Sequence, residues 1–405
     1  MHPSLDIVGT RGNELSGKKI VLCVTGSVAA VRSPEVAREL MRHGAEVRAA
    51  MTPSAAKLIT PELMHWATGN PVVTELTGKL EHVELASWAD LILVAPATAN
   101  TISKAACAVD DTPVTSIISV ALGLEKKVIM VPAMHGSMYA HKLLQDNISR
   151  LKGIGVSILE PRVEEGKAKM LDAGEIVDFV IGELMPKDML GLKVLVTAGP
   201  TVEPIDPIKL ITNRSSGKMG IAVAKAAARR GAEVTLIYGP GNEATPHGVK
   251  VIRVETTSEM KEAFENELRK GQDIIVSAAA AQDFMVESPH AAKLRHFEPV
   301  EIKLVPAPRV IENARRLAPH AYIIGFKAEY GVSDNELVEA ARGKLEENRL
   351  DMVVANDVSR AGAGFAHETN EVVIVTPSIT RKIASAKIEV ANAILDEALR
   401  ELRSK

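Results

Sequence analysis

Short runs of apolar residues, each followed by a stretch with helical spacing, alternate along the whole chain. In the first half the apolar runs fall at 19–25 (KIVLCVT), 46–51, 91–95, 127–131 and 155–159, with a helical pattern over 28–43 after the first. Strands this uniformly apolar, separated by helices, predict a parallel sheet covered on both faces. The pattern restarts at 193–197, continues with a helix over 217–230, and adds strands at 233–238, 250–254, 273–277, 321–326, 352–355 and 371–375. KKIVLCVTGS at 18–27 and LKVLVTAGPT at 192–201 share one plan: a basic residue, an apolar strand, Thr, and a turn containing Gly. Each opens its own α/β unit. Pro186 stops the helical pattern between them, which puts the boundary within 186–191 and the domains at 1–188 and 189–405. Residues 378–405 read as one amphipathic helix with a basic last turn. The expected fold is two doubly wound α/β domains with mostly parallel sheets.

Composition narrows the function classes. The 405 residues are 46% hydrophobic and 24% charged, enough apolar material for two cores and too much for a disordered chain. A net charge of −3 argues against a nucleic-acid or membrane-surface binder, and 3% aromatic residues against a stacking platform for single strands. Two cysteines, Cys23 and Cys107, exclude a disulfide scaffold and a cysteine-rich zinc module. No apolar run reaches the ~18 residues of a membrane span, and the polar N-terminal stretch lacks the apolar core of a signal peptide. The expectation is a cytoplasmic protein.

In doubly wound sheets ligands bind beyond the carboxyl ends of the strands, so the loops there hold the candidate chemistry. Gly26 and Ser27 follow the first strand and precede a helix; small residues there let backbone N–H groups reach a phosphate, or simply make a tight turn. There is no GxGxxG dinucleotide fingerprint. The loop 96–101 (PATANT) offers hydroxyls and an amide to a phosphate or carboxylate, or caps a helix through Thr98 or Asn100. The loop 132–139 (PAMHGSMY) brings Met134, Met138 and Tyr139 to an apolar ligand wall or to a core edge. His82 lies on a predicted helix, as a structural or a catalytic imidazole.

Together TGSVAAVRSPEVAREL, MTPSAAKLIT, HVELASWADLILVAPATANTISKAA, Asp110-Asp111 and PAMHGSMY resemble the flavin-containing cysteine decarboxylases, specifically the phosphopantothenoylcysteine decarboxylase family, over most of 18–185. The resemblance implies a flavodoxin-like or Rossmann-like fold and FMN, its phosphate near Gly26, Ser27 and the following helix. Thr52 and the loop of Thr98, Ala99 and Asn100 would lie nearby, with Met134 against the cofactor. It also implies that His82 is the catalytic histidine in oxidation of the substrate thiol. Two departures stand out. His135 occupies the position where the bacterial pattern has an Asn that contacts the substrate carboxylate. The substrate-clamp loop PRVEEGKAKM at 161–170 lacks the Cys that protonates the enethiol intermediate, which makes Glu164 or Glu165, then Lys167, the expected donors.

The second half carries a Pro-rich loop, TAGPTVEPIDP at 197–207, then ITNRSSGKMG at 211–220, whose two Ser, two Gly and Lys open a helix and suit phosphate oxygens. SAAAAQD at 277–283, Lys293-Leu294-Arg295 in a polar loop over 286–299, GFKAE at 325–329 and ANDV at 355–358 follow in order. This set resembles the phosphopantothenate–cysteine ligase family over about 193–375. The implied reaction uses CTP and Mg2+. The 4′-phosphopantothenate carboxylate attacks the α-phosphorus to give an acyl-cytidylate and pyrophosphate, and the cysteine amine then displaces CMP. The resemblance puts Asn213 on the acyl-cytidylate, Lys293 beside the reacting phosphate, and Asp283 at the nucleotide and its metal. Ser277, Ala278, Ala279, Pro308, Arg309, Val310, Ile311, Phe326 and Lys344 fall at further nucleotide contacts. Asn348 stands where a second basic contact is expected, and Lys327 offers a compensating charge.

Fusion of the two activities, decarboxylase half first, resembles the bifunctional coenzyme A biosynthesis family in its archaeal-like form. A flavin-fold binding or regulatory protein with only the ligase active is the alternative, and an NAD(P) oxidoreductase a third, disfavoured by the missing fingerprint. The resemblance further implies a homo-oligomer, with trimers of the first domain and dimers of the second combining into a dodecamer.

Overall fold

The computed structural model describes residues 2–295, 299–360, 364 and 367–404, so part of the polar loop over 286–299 lies outside the described residues. The chain divides into two compact units, Met1–Met185 and Pro186–Lys405.

The first unit contains β1 (Lys19–Val24), β2 (Glu46–Met51), β3 (Val72–Val73), β4 (Leu91–Ala97), β5 (Lys127–Pro132), β6 (Met134–His135), β7 (Ser157–Ile158), β8 (Arg162–Glu164) and β9 (Lys167–Lys169). Six strands form a parallel sheet in the order β3-β2-β1-β4-β5-β7, and β6, β9 and β8 form a small antiparallel one. Alternation along β1 explains why the sheet is covered twice. Ile20, Leu22 and Val24 pack into the core shared with helices Ser33–Arg42 and Ala173–Leu184, while Val21 and Cys23 pack into the core of helices Glu81–Trp88 and Pro113–Gly123. Burial pushes the Cys23 thiol up, so it is an inert core residue.

The second unit contains β10 (Lys193–Ala198), β11 (Val202–Pro204), β12 (Leu210–Thr212), β13 (Glu233–Tyr238), β14 (Lys250–Arg253), β15 (Ile274–Ser277), β16 (Phe284–Val286), β17 (Leu304–Pro306), β18 (Tyr322–Glu329), β19 (Met352–Asp357), β20 (Thr369–Val375) and β21 (Thr380–Ala386). Its eight-stranded sheet runs β14-β13-β10-β15-β18-β19-β20-β21, parallel up to β19 and antiparallel through β20 and β21. Two hairpins, β11–β12 and β16–β17, stand outside it. Both units are therefore α/β, doubly wound and mostly parallel.

Two expectations change. The helix expected from residue 28 starts as a 3₁₀ turn, Val28–Arg32, and becomes α only at Ser33–Arg42, where Pro34 sits in the first turn. The helix expected over 378–405 is the strand β21 followed by helix Lys387–Ser404; Thr380–Ala386 pairs along its length with β20. Among the described residues no helix is long and apolar enough to cross a membrane.

Candidate active sites

In each unit the chain leaves the first strand toward one side of the sheet and later returns to the other. The switch points lie between β1 and β4 and between β10 and β15. Ligands of open α/β sheets bind at such points.

At the first switch point the buried Thr25 hydroxyl donates to the Pro96 carbonyl (2.7 Å) and accepts from the Thr98 amide (3.1 Å), while Ser33 Oγ donates to the Ala95 carbonyl (2.9 Å). These bonds join the loop after β1 to the loop after β4. A cleft of about 570 Å³ opens beside them, lined by Gly26, Ser27, Thr52, Ser54, Thr98, Ala99, Asn100, Lys104, Thr112, Thr115, Ala133, Met134 and Met138, among others. Ser27, Thr52, Thr98 and Thr112 each cap a helical turn, so four sets of N-terminal N–H groups face this region. Gly26 approaches closely: a Cβ there would lie 2.5 Å from Ser54 Cβ. The seven residues expected at a cofactor, Gly26, Ser27, Thr52, Thr98, Ala99, Asn100 and Met134, thus converge on one cleft. Ser54, Lys104, Thr112 and Thr115 were not anticipated. They enter from helices and helix caps, and only an N-cap signature (Thr112-Pro113) marked one of them.

His82 is half-buried on helix Glu81–Trp88 and does not line this cleft; its Nδ1 is buried without a hydrogen-bond partner. His135 ends β6 alongside β9, paired with Lys167, and the Gly136 amide donates to the Gly166 carbonyl at 2.7 Å. His135 Nδ1 accepts the Ser137 amide (3.3 Å), so in the neutral ring the hydrogen sits on Nε2.

Glu164 and Glu165 lie on the β8–β9 hairpin. Both pair with Lys169, at 3.3 and 2.9 Å, and both are exposed on the hairpin rather than in the cleft. The hydrogen bond and charge of Lys169, with Lys167 nearby, hold the Glu165 carboxyl below the usual range. A carboxylate stabilised in its charged form is a poor proton donor. The hairpin is tied down instead through Arg162, which pairs with Glu175 (2.6 Å) and lies 3.5 Å from Asp172; Asp172 in turn pairs with Arg32 (2.7 Å).

At the second switch point Asn213 Nδ2 donates to the carbonyls of Ala280 (2.9 Å) and Ala281 (3.3 Å). Its amide hydrogens are thus engaged, and an Asn213 that polarises an acyl carbonyl must first release this loop. The Ala278 amide donates to the Thr197 carbonyl and the Ala279 amide to Thr197 Oγ1, both at 3.2 Å. The Ala278 and Ala279 amides are thus both engaged with Thr197 of β10. Gln282 presents a buried Nε2 with no partner, a donor the sequence did not single out.

Lys344 is half-buried and its Nζ donates to the Phe326 carbonyl at 2.7 Å. Burial lowers its pKa, and the neighbouring Lys327 lowers it further, against the opposing charge of Asp283. Arg309 pairs with Glu347 at 2.5 Å, and Pro308, Val310 and Ile311 flank it at the same edge. Lys327 itself pairs with Glu329 at 3.1 Å. Asp283 and Lys293 are exposed. Among the described residues no three His, Cys, Asp or Glu side chains gather as metal ligands.

Two family models match the chain. The family described as Flavoprotein matches residues 9–185, and the DNA/pantothenate metabolism flavoprotein C-terminal domain matches residues 189–402. The coenzyme A biosynthesis bifunctional protein CoaBC of Thermococcus kodakarensis is 49% identical over 404 residues, 98% of each chain. That of Methanocaldococcus jannaschii is 39% identical over 409 residues, covering 100% of this chain and 99% of the relative. That of Escherichia coli is 38% identical over 373 residues, 88% and 90% of the two chains. The chain belongs to the bifunctional coenzyme A biosynthesis family, enzymes with both a phosphopantothenate–cysteine ligase and a phosphopantothenoylcysteine decarboxylase activity.

Proposed function

We propose that the second unit joins cysteine to 4′-phosphopantothenate at the expense of CTP, and that the first unit decarboxylates the product, with FMN, to 4′-phosphopantetheine. The observation that carries this reading is the placement of a capped, hydroxyl-rich cleft at one switch point and an amide- and lysine-bearing loop cluster at the other.

The first cleft fits a phosphorylated flavin. Ser27, Thr52, Thr98 and Thr112 surround it with helix N-termini, which favour a phosphate. Gly26 leaves no room for a Cβ, and Ala133, Met134 and Met138 give an apolar wall. When bound, FMN supplies the two-electron oxidation and re-reduction that make loss of CO2 from a cysteinyl carboxylate possible. Here Nε2–H of His135 is available to donate a hydrogen bond to the substrate carboxylate. His82 lies outside the cleft of its own chain, and we assign it to the cleft of a second copy. A trimer of first units achieves this, and dimers of second units extend it to a dodecamer in the cytoplasm.

In the second unit the 4′-phosphopantothenate carboxylate attacks the α-phosphorus of CTP and expels pyrophosphate; the cysteine amine then attacks the acyl carbon and expels CMP. Lys293 stands beside the reacting phosphate, and Lys344 and Lys327 add positive charge at the same strand ends. Asn213 holds the loop carbonyls in the resting state and turns to the acyl-cytidylate when that loop is displaced. Magnesium enters on the nucleotide phosphates, with Asp283 as its protein ligand.

The test has two readouts. Purified protein shows flavin absorption, and sustained pyrophosphate release from CTP requires both 4′-phosphopantothenate and cysteine, with at most one turnover per site when cysteine is left out. Protein without flavin, or sustained release that ignores either substrate, contradicts the reading.

A further inference from the structure

Asp206 lies in the loop between β11 and β12, and its side chain is completely buried. Four donors converge on the one carboxylate. Oδ1 accepts from the backbone amides of Ile208 and Lys209, both at 2.7 Å. Oδ2 accepts from Lys209 Nζ at 2.7 Å and from the Leu294 amide at 2.9 Å. Lys209 Nζ also donates to the Leu294 carbonyl at 3.0 Å, so both backbone groups of Leu294 are held. A third bond, from the His290 amide to the Ile205 carbonyl at 2.8 Å, ties the same two loops.

The turn over 206–209 needs only Oδ1, as any local aspartate turn would. Oδ2 and the lysine serve a contact 88 residues away in sequence. The two ends of that contact are informative. Lys209 directly precedes β12, and Asn213 directly follows it; Leu294 directly follows Lys293. The hairpin has a fixed reference as well: Glu203 on β11 is buried and accepts the Thr257 amide at 3.0 Å, which anchors it to helix Thr257–Leu268.

We infer that Asp206, with Lys209, is a positioning residue of the ligase reaction that sets the spacing between Asn213 and Lys293. The inference rests on the reading of those two residues given above. Asp206 touches neither nucleotide nor acyl group; it acts by holding a polar loop against a hairpin rooted in the core. The hydrogen bond from Lys209 keeps the carboxyl well below the usual range, so the pin stays charged wherever the enzyme works. Misplacement of a reacting group by about 1 Å costs up to roughly 10²-fold in rate, which is the scale on which such a pin matters.

The experiment uses the full chain and measures CTP-dependent pyrophosphate release for Asp206→Asn, Lys293→Ala and the double variant, together with hydrogen exchange at the Leu294 amide. Asp206→Asn should lower kcat about 10- to 100-fold with little change in nucleotide KM. The double variant should be no slower than Lys293→Ala, because a misplaced lysine and an absent one are equivalent. The Leu294 amide should exchange faster while core strand amides do not change. Additive losses, or unchanged exchange at Leu294, overturn the inference. Lys293→Ala at the wild-type rate overturns the reading of Lys293 itself and this inference with it. If Asp206→Asn does not fold, Lys209→Met removes only the Nζ contacts: faster exchange at Leu294 with a lowered kcat supports the pin, and wild-type values overturn it.

Discussion

The Thr25 hydroxyl ties the residue just past β1 to the end of β4: it donates to the Pro96 carbonyl at 2.7 Å and accepts the Thr98 amide at 3.1 Å. Thr25 has no exposed surface. Replacing it with Val keeps the shape and strands both partners. Leaving a buried polar group unpaired costs about 1–3 kcal/mol. Thr25→Val should lower the thermal midpoint and weaken flavin retention, both read in one melt followed by flavin fluorescence. A variant that holds flavin as tightly as the parent shows that the bridge does not shape the cleft.

Gly26→Ala should act more locally. The new Cβ would lie 2.5 Å from Ser54 Cβ, an atom close to its own backbone with no flexible end to give way. The cleft must distort, so the purified variant should be depleted of flavin while CTP-dependent ligation continues at the parent rate. Absorbance spectra and pyrophosphate release check the two halves separately.

The clamp hairpin carries a negative prediction. Lys169 pairs with both Glu164 and Glu165, and it holds the Glu165 carboxyl below its usual range. A general acid contributes about 10²–10⁴-fold, so loss of a true donor would be obvious. Glu164→Gln and Glu165→Gln should each leave decarboxylation near the parent rate, measured on supplied phosphopantothenoylcysteine. A hundredfold loss in either restores that glutamate as the donor.

The pair Lys327 and Lys344 predicts a pH profile. Burial lowers the Lys344 pKa, and the charge of Lys327 lowers it further. Removing Lys327 therefore raises it. Lys327→Ala should move the alkaline limb of nucleotide kcat/KM to higher pH and raise nucleotide KM at neutral pH. An unmoved limb would mean that Lys344 does not titrate in the reaction.

Stability in acid should depend on Glu39. Burial raises its pKa, but hydrogen bonds and charge from Arg11 and Arg42 outweigh this and leave it lowered in the folded state. His43 and Glu14 face the same group, His43 Nε2 lying 3.7 Å from Glu39 Oε1 and Nδ1 lying 2.9 Å from Glu14 Oε2. A depressed carboxyl contributes stability above the unfolded pKa of about 4.3 and loses it as pH falls through the folded value. The parent should lose more stability than Glu39→Gln between neutral pH and about pH 3, as unfolding at stepped pH will show.

The sheet strands were legible because their apolar runs are continuous. Lys19, Glu46, Leu91, Lys127, Lys193, Glu233 and Met352 each open a strand where the pattern changes from polar to apolar. What escaped is what burial does not mark. β21 (TRKIASA) is an outer strand with most residues exposed, so it merged with the helix after it. The hairpins β8–β9, β11–β12 and β16–β17 have strands of three residues, too short for a period. Site residues directly after strands were visible by position. Lys104, Thr115, Gln282 and Asp206 were not, because each reaches its place through helix packing or a contact distant in sequence.

The central claim is that two separate sites on one chain act in succession, and mass-resolved turnover of 4′-phosphopantothenate, cysteine and CTP tests it most directly. The parent should form 4′-phosphopantetheine, His82→Asn should stop at phosphopantothenoylcysteine, and Lys293→Ala should form neither until phosphopantothenoylcysteine is supplied. His82→Asn that still releases 4′-phosphopantetheine at the parent rate, or Lys293→Ala that still makes the amide at the parent rate, would contradict it.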